Sequence, residues 1–343
     1  MASSSSSARP APRIILYYQT THDPKGNLIS TLPLLIQPDI SLTHLIVAAI
    51  HINEDPDGLT LNDHPPSDQR YTTMWAELRV AQACNTKVLG MLGGAAKGSF
   101  TRLDQDQATF EKYYGALHEL IKDRSLDGLD LDVEEEMSLA GIVRLIDRLR
   151  ADFGPAFLIT LAPVAAALLD PRRNLSGFDY AALEAARGPQ IAWYNAQFYC
   201  GWGDAGSPDM YRMCVARGWP ADKIVLGLVT SPDNSPGWVS FGLLAPTLAV
   251  LRAQFPGFGG VMGWEYFNAL PGDMARPWEW AQSMTKFLNI GQTGGAQDAG
   301  AASAKGVKAA KAVEVDPDVE TDPSLEVPQN FEYYSDGLNV DDD

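Results

Sequence analysis

The 343-residue chain is 45% apolar, enough to bury a sizeable core as one large domain, two ordinary ones or a single α/β barrel. Its formal charge of −17 argues against nucleic acid and anionic membrane as partners, because both require clustered Lys and Arg. Cys84, Cys200 and Cys214 are too few and too scattered for a disulfide framework or a zinc-ligand spacing, and read as small buried apolar residues.

The chain opens on MASSSSSARPAPR, a Ser-rich polar lead without an apolar h-region, so residues 1–12 are expected to be disordered and no secretory signal is visible. No stretch approaches the ~20 apolar residues of a membrane span. The protein is expected in the cytoplasm, or outside the cell if a leader has been cut away. From Arg13 to Tyr266, eight short apolar runs follow: RIILYYQ, LTHLIVAAIHI, KVLGMLGG, DGLDLDVE, FLITLAPV, WYNAQFYC, KIVLGLVT and GGVMGWEY. Runs that are apolar throughout, rather than strictly alternating, predict strands covered on both faces, as in parallel sheets.

Helical periodicity fills the gaps between runs. In MSLAGIVRLIDRLRADFG, Leu139, Ile142, Val143, Ile146 and Leu149 recur at three-and-four spacing and Gly154 supplies a stop. Eight strands alternating with helices predict the α/β class and, within it, a (β/α)8 TIM barrel over residues 13–290. A doubly wound sheet is the competitor, but the first strand is not followed by its G-x-G-x-x-G turn. Residues 291–343 carry 12 acids and 3 lysines, a local charge of −9, and are rich in Gly, Ala and Pro, so they are expected to form a disordered acidic tail.

The fourth run poses the functional question. Leu129, Leu131 and Val133 share one face of a strand, so Asp130, Asp132 and Glu134 must share the other. In a barrel, residues climbing to the C-terminal end of a strand line the active site, whereas the middle is packed with branched apolar side chains. Turning three carboxyls inward costs several kcal/mol each unless they share protons or hydrogen bonds. Crowding also raises at least one pKa, which keeps a carboxyl protonated as a general acid. A calcium loop would need Gly at its sixth position and Glu at its twelfth, which this apolar strand does not provide. Glu135 and Glu136 precede a helix near Ser138 and are read as structural, meeting its N-terminus.

DGLDLDVE, Asp127 to Glu134, matches D-G-x-D-x-D-x-E at every fixed position and so resembles the family 18 glycoside hydrolases, the chitinases and endo-β-N-acetylglucosaminidases. MLGGAAKGSF resembles the family's S-x-G-G element with Met91 in place of Ser. NAQFYCGWG resembles the Q-F-Y segment of the plant-type, hevamine-like branch, and GGVMGWEYFN ends with a Trp like the one beneath the family's sugar site. The likeness spans roughly residues 13 to 290 and is nearest to the small fungal endo-β-N-acetylglucosaminidases.

What the resemblance implies is specific. Glu134 would be the general acid/base, and Asp132 would orient the substrate's 2-acetamido group, whose carbonyl oxygen attacks the anomeric carbon to give an oxazolinium ion with net retention. Asp130 would share a proton or hydrogen bond with Asp132, Tyr199 would donate to the acetamido oxygen, and Trp264 would stack under the sugar. Tyr18, Asn195, Gln197 and Glu265, at strand ends in the same layer, are further candidates to contact the acetamido group or sugar hydroxyls. Trp202 and Trp238 are read as sugar platforms or as surface packing, and His44 and His51 as core or rim histidines. The five histidines form no metal cluster, and neither a metal nor a cofactor is expected.

Three functions compete. The first is an endo-β-N-acetylglucosaminidase cutting the GlcNAc-β1,4-GlcNAc core of N-linked, high-mannose glycans. A chitinase with the same chemistry is the second, and a non-catalytic chitinase-like lectin the third. The absence of an extra binding module or an aromatic row favours the glycan, and the intact Glu134 disfavours the lectin. The expected partner is an N-glycan or glycoprotein met by a monomer.

Overall fold

A computed structural model describes residues 11–289. The expectations for the lead and the acidic tail fall almost wholly on residues 1–10 and 290–343, outside the described residues.

Eight parallel strands close into a barrel: β1 (Arg13–Tyr18), β2 (His44–His51), β3 (Lys87–Gly93), β4 (Gly128–Asp132), β5 (Leu158–Leu161), β6 (Trp193–Gln197), β7 (Ile224–Val229) and β8 (Gly260–Trp264). Each pairs with its sequence neighbour, and β1 pairs with both β2 and β8, which closes the ring. All eight predicted runs become barrel strands. A short antiparallel strand that the sequence did not announce, Thr60–Leu61, pairs with Ile50 and His51 and extends β2 at the barrel mouth.

Helices α1 (Thr72–Ala83), α2 (Gln107–Asp123), α3 (Leu139–Phe153), α4 (Tyr180–Arg187), α5 (Asp209–Ala216), α6 (Phe241–Gln254) and α7 (Glu279–Phe287) surround the barrel. In α3 three of the five predicted stripe residues, Ile142, Ile146 and Leu149, are buried, joined by Leu145, whereas Val143 is half-buried and Leu139, in the first turn, is exposed; Ser138 caps Gly141 N and Gly154 ends the helix at φ 75°.

The strands are buried on both faces, so two cores form. Ile14, Leu16 and Tyr18 point outward to the helices, whereas Ile15 and Tyr17 point into the lumen with Ile46, Leu89, Met91 and Met262. The N-terminal end of the barrel is plugged by Trp193, with the Arg13 guanidinium 4.5 Å from its ring centroid and the His44 ring at 4.7 Å. Burial, aided by Arg13, pushes His44 down to about 3, so it is a neutral packing residue remote from the strands' C-terminal ends.

Two glycines permit close approaches around β4. A Cβ on Gly128 would lie 2.4 Å from the Leu158 carbonyl oxygen, and one on Gly93, at φ 95°, 2.4 Å from that of Asp132. The first aspartate of the motif, Asp127, is structural: it accepts from Lys87 Nζ, Val88 N and Gln82 Nε2 at 2.8, 2.9 and 2.8 Å, anchoring β4 to β3 at the foot of the strand.

Glu135 is also structural, but it serves a different helix from the one expected. It accepts from Gly98 N, Phe100 N and Thr101 Oγ1 at 2.8, 2.8 and 2.6 Å, so it caps the short helix Ser99–Leu103 rather than α3. Glu135→Ala strands buried donors and is expected to cost about 2–4 kcal/mol in urea unfolding, with a smaller loss for Glu135→Gln.

Candidate active site

β4 presents its acids as a ladder. Asp130 is fully buried, Asp132 is 6% exposed, and Glu134 is half-buried at the mouth. Asp130 accepts from Tyr17 Oη at 2.6 Å, Asn195 Nδ2 at 3.0 Å and Thr160 Oγ1. The hydrogen-bonded partner expected for it was Asp132; its donors are instead these three, which reach it from β1, β6 and β5. Burial raises the Asp130 pKa, and these three hydrogen bonds oppose the rise. Asn195 is itself held by Trp193 Nε1, which donates to Oδ1 at 2.8 Å.

Gln197 bridges the upper two acids. Its Nε2 lies 3.3 Å from Asp132 Oδ1, 3.2 Å from Glu134 Oε1 and 2.9 Å from the Ala162 carbonyl oxygen. Asp132 is held well above the usual carboxylate range, first by burial, then by the charges of Glu134 and Asp130. Burial also raises Glu134, with the Gln197 hydrogen bond opposing it. Two stacked, desolvated carboxyls cannot both ionise cheaply, so the pair retains a proton at pH values where isolated carboxyls have lost theirs.

A cavity of 390 Å³ opens over this ladder. Asp132, Glu134 and Gln197 line it on one side, and Tyr199, Trp202 and Trp264 bring three aromatic rings to it. Trp264 ends β8, with its ring centroid 5.4 Å from that of Tyr17. The Tyr199 hydroxyl keeps its proton, its pKa raised by burial and then by Asp132 and Glu134, so it is a donor facing the acids. Trp238 packs against the lumen core and is not a cavity-lining residue, whereas Trp202 is one.

Three of the candidates for sugar contact do not reach the cavity. Asn195 is fully buried, with Oδ1 accepting from Trp193 Nε1 and Nδ2 donating to Asp130, so it lies in the layer beneath the cleft. Tyr18 lies on the outer face of β1, and its hydroxyl donates to the Ile29 carbonyl at 2.6 Å; Tyr17, one residue earlier, is the lumen tyrosine. Glu265 is buried, and its carboxylate accepts from Gln19 N, Thr20 N and Thr20 Oγ1 at 3.0, 2.8 and 2.9 Å. It ties the loop after β1 to the end of β8 instead of reaching the cavity. Tyr17 and Thr160 were missed as partners of Asp130. Thr160 left a signal, as the lone hydroxyl within FLITLAP in register with Asp130.

Among the described residues, no cluster of three or more His, Cys, Asp or Glu side chains is placed to hold a metal ion. No helix among them is long and apolar enough to cross a membrane.

A closed (β/α)8 barrel, with stacked carboxyls and aromatic rings in a cleft at the C-terminal ends of its strands, has the make-up of a carbohydrate-cleaving barrel. The chain belongs to family 18 of these enzymes: the description "Glycosyl hydrolases family 18" matches residues 13–232, more than half of its length. Among solved structures it is similar to a fungal endo-β-N-acetylglucosaminidase of glycosyl hydrolase family 18, with 51% identity and a TM-score of 0.80 over 82% of this chain and 100% of that one. It is also similar to the chitinase ChiC of Aspergillus fumigatus, with 55% identity and a TM-score of 0.74 over 80% of this chain and 99% of that one. Chitinase 1 of Rhizopus niveus is 26% identical over 57% of this chain, and the match spans 40% of its own length. Endochitinase 37 of Trichoderma harzianum is 25% identical over 60% of this chain and 66% of its own length.

Proposed function

We propose that the protein is an endo-β-N-acetylglucosaminidase that hydrolyses the GlcNAc-β1,4-GlcNAc core of N-linked glycans by retaining, substrate-assisted catalysis. One observation carries the mechanism: among the described residues, Asp132 and Glu134 are the only carboxyls lining the cavity, and they sit at the end of β4 and two residues beyond it rather than facing each other across the cleft. A glycosidase with a protein nucleophile sets its second carboxylate opposite the acid. Here the attacking group must come from the substrate, and a 2-acetamido carbonyl oxygen is such a group.

Protonated Glu134 gives its proton to the glycosidic oxygen as the bond to the anomeric carbon breaks. The acetamido carbonyl oxygen closes on that carbon from the other face, forming the oxazolinium ion. Asp132 accepts from the acetamido N–H, and Tyr199 donates to the acetamido oxygen. Water, deprotonated by the Glu134 carboxylate, then opens the ring with net retention and restores the acid. Asp130 does not touch substrate in this scheme; with Tyr17, Thr160 and Asn195 it forms the polar floor beneath Asp132.

The glycan is favoured over chitin by the distribution of aromatic side chains. Among the described residues, the large apolar side chains that stand exposed include no aromatic, whereas Trp202, Trp264 and Tyr199 gather at the single cavity over the acids. A chain-gripping groove needs rings set along its length, because each sugar presents an apolar face to stack. Chitin remains the second reading, favoured by the ChiC likeness. Incubating a high-mannose glycoprotein beside chitohexaose and weighing both decides between them. Loss of all but one GlcNAc with chitohexaose untouched is the expected result; degraded chitohexaose beside intact glycoprotein would make this a chitinase, and no change in either would indicate a sugar-binding barrel.

The alkaline limb of the kcat/KM profile follows from the same geometry. Activity should fall as pH rises through the pKa of Glu134, since only the protonated form donates. The Gln197 hydrogen bond favours the carboxylate, so Gln197→Leu removes a pKa-lowering interaction and should move the limb to higher pH. A limb that stays in place or moves down would contradict the assignment of Glu134 as the acid.

A further inference from the structure

His51 ends β2 at the barrel mouth and lines the cavity, and the mechanism above gives it no task. The strand Thr60–Leu61, paired to it, fixes its backbone. Its Nδ1 is closed off from solvent and has no hydrogen-bond partner, so Nε2 is the ring nitrogen left to face the cleft. A neutral imidazole carries one proton. Placed on Nδ1, that proton would be a buried donor with nothing to receive it, and an unmade donor is costly; placed on Nε2, it points where a ligand can accept it. Burial also lowers the His51 pKa, with the Asp63 charge opposing, consistent with a ring that stays neutral.

The surrounding wall makes this donor conspicuous. The other cavity-lining residues of β2 and the β3 end are Ala49, Met91, Gly93, Gly94, Ala95 and Ala96, none of which offers a polar side chain. A pyranose presents hydroxyls around its whole rim, and one seated against this wall finds a single side-chain partner there.

We propose that His51 is a substrate-binding residue that donates its Nε2–H to a hydroxyl of the sugar seated against the β2–β3 wall, and so selects for a hydroxylated pyranose at that position. This rests on the glycosidase reading above.

The test uses the full chain carrying Glu134→Gln, so that ligand survives, titrated calorimetrically with a high-mannose glycopeptide and, separately, with chitohexaose. Adding His51→Ala should weaken binding by about five- to tenfold, the worth of one ordinary hydrogen bond. His51→Gln, whose amide nitrogen reaches the Nε2 position, should restore affinity to within about twofold. His51→Asn, whose amide ends at the buried Nδ1 position, should not. In the free protein, ¹⁵N long-range NMR of the His51 ring should show the Nε2–H tautomer. An Nδ1–H tautomer, or equal affinity across the variants, overturns the proposal and leaves the glycosidase reading standing. If no variant binds either glycan, both fall together.

Discussion

Glu134→Gln should reduce hydrolysis by at least about 10²–10⁴-fold while leaving the barrel folded, because it removes the carboxyl proton that is given to the glycosidic oxygen and keeps the side chain's size. The amide oxygen can still accept from Gln197, whose Nε2 lies 3.2 Å from the present carboxylate oxygen. The neighbouring Asp132 loses a like charge, so the variant should be at least as stable as the parent at neutral pH. Release of glycan, followed by mass spectrometry, measures the first effect and circular dichroism the second. Undiminished turnover in a folded Glu134→Gln protein would falsify the mechanism proposed here.

The second large effect is expected at Asp132. Asp132→Asn should lower turnover on glycans by about 10²–10³-fold, since the carboxylate that aligns the acetamido group and faces the developing oxazolinium charge is gone. Glu134 remains, so a preformed sugar oxazoline should still be processed. A variant that loses both activities equally would mean that Asp132 supports the fold of the site, not ring closure. The same substitution carries a stability signature. The Asp132 pKa is raised in the folded state by burial, then by Glu134 and Asp130. The native state therefore holds this proton more tightly than the unfolded chain does. Its contribution is fully present below the unfolded carboxylate pKa and is lost as pH rises from there through the folded one. Asparagine cannot ionise, so Asp132→Asn should raise Tm at neutral pH and give no such gain near about pH 3. A site that stores instability in its stacked acids is the physical form of a trade between stability and activity.

Much of this architecture could be read from the chain because two patterns are strong in one dimension. The eight apolar runs recur with helices between them, and each became a barrel strand. The acids at 130, 132 and 134 stand out because charge in an apolar strand has contrast: their period of two is visible against Leu129, Leu131 and Val133. Asn195 and Gln197 were legible for the same reason, as polar residues spaced by two within WYNAQFYC. The match of DGLDLDVE to a known family then supplied roles that spacing alone could not.

Phase, loop contacts and tautomers needed the tertiary structure. In β1 both faces are buried, Ile14, Leu16 and Tyr18 against helices and Ile15 and Tyr17 in the lumen, so alternation carries no contrast and does not tell Tyr17 from Tyr18 as the lumen tyrosine. Glu265 looked like a site residue because it follows Trp264, but its oxygens are taken by Gln19 and Thr20, more than two hundred residues earlier in the chain. Glu135 serves the helix before its strand rather than the one after it for a similar reason: the donors nearest in space belong to another loop. The sequence by itself determined the barrel, the acid ladder and the family, because these rest on local periodicity and a contiguous motif. Which carboxyl touches solvent, which is spent on a loop, and that His51 faces the cleft with one nitrogen sealed were decided by closure of the sheet, which brings together residues that no short-range pattern relates.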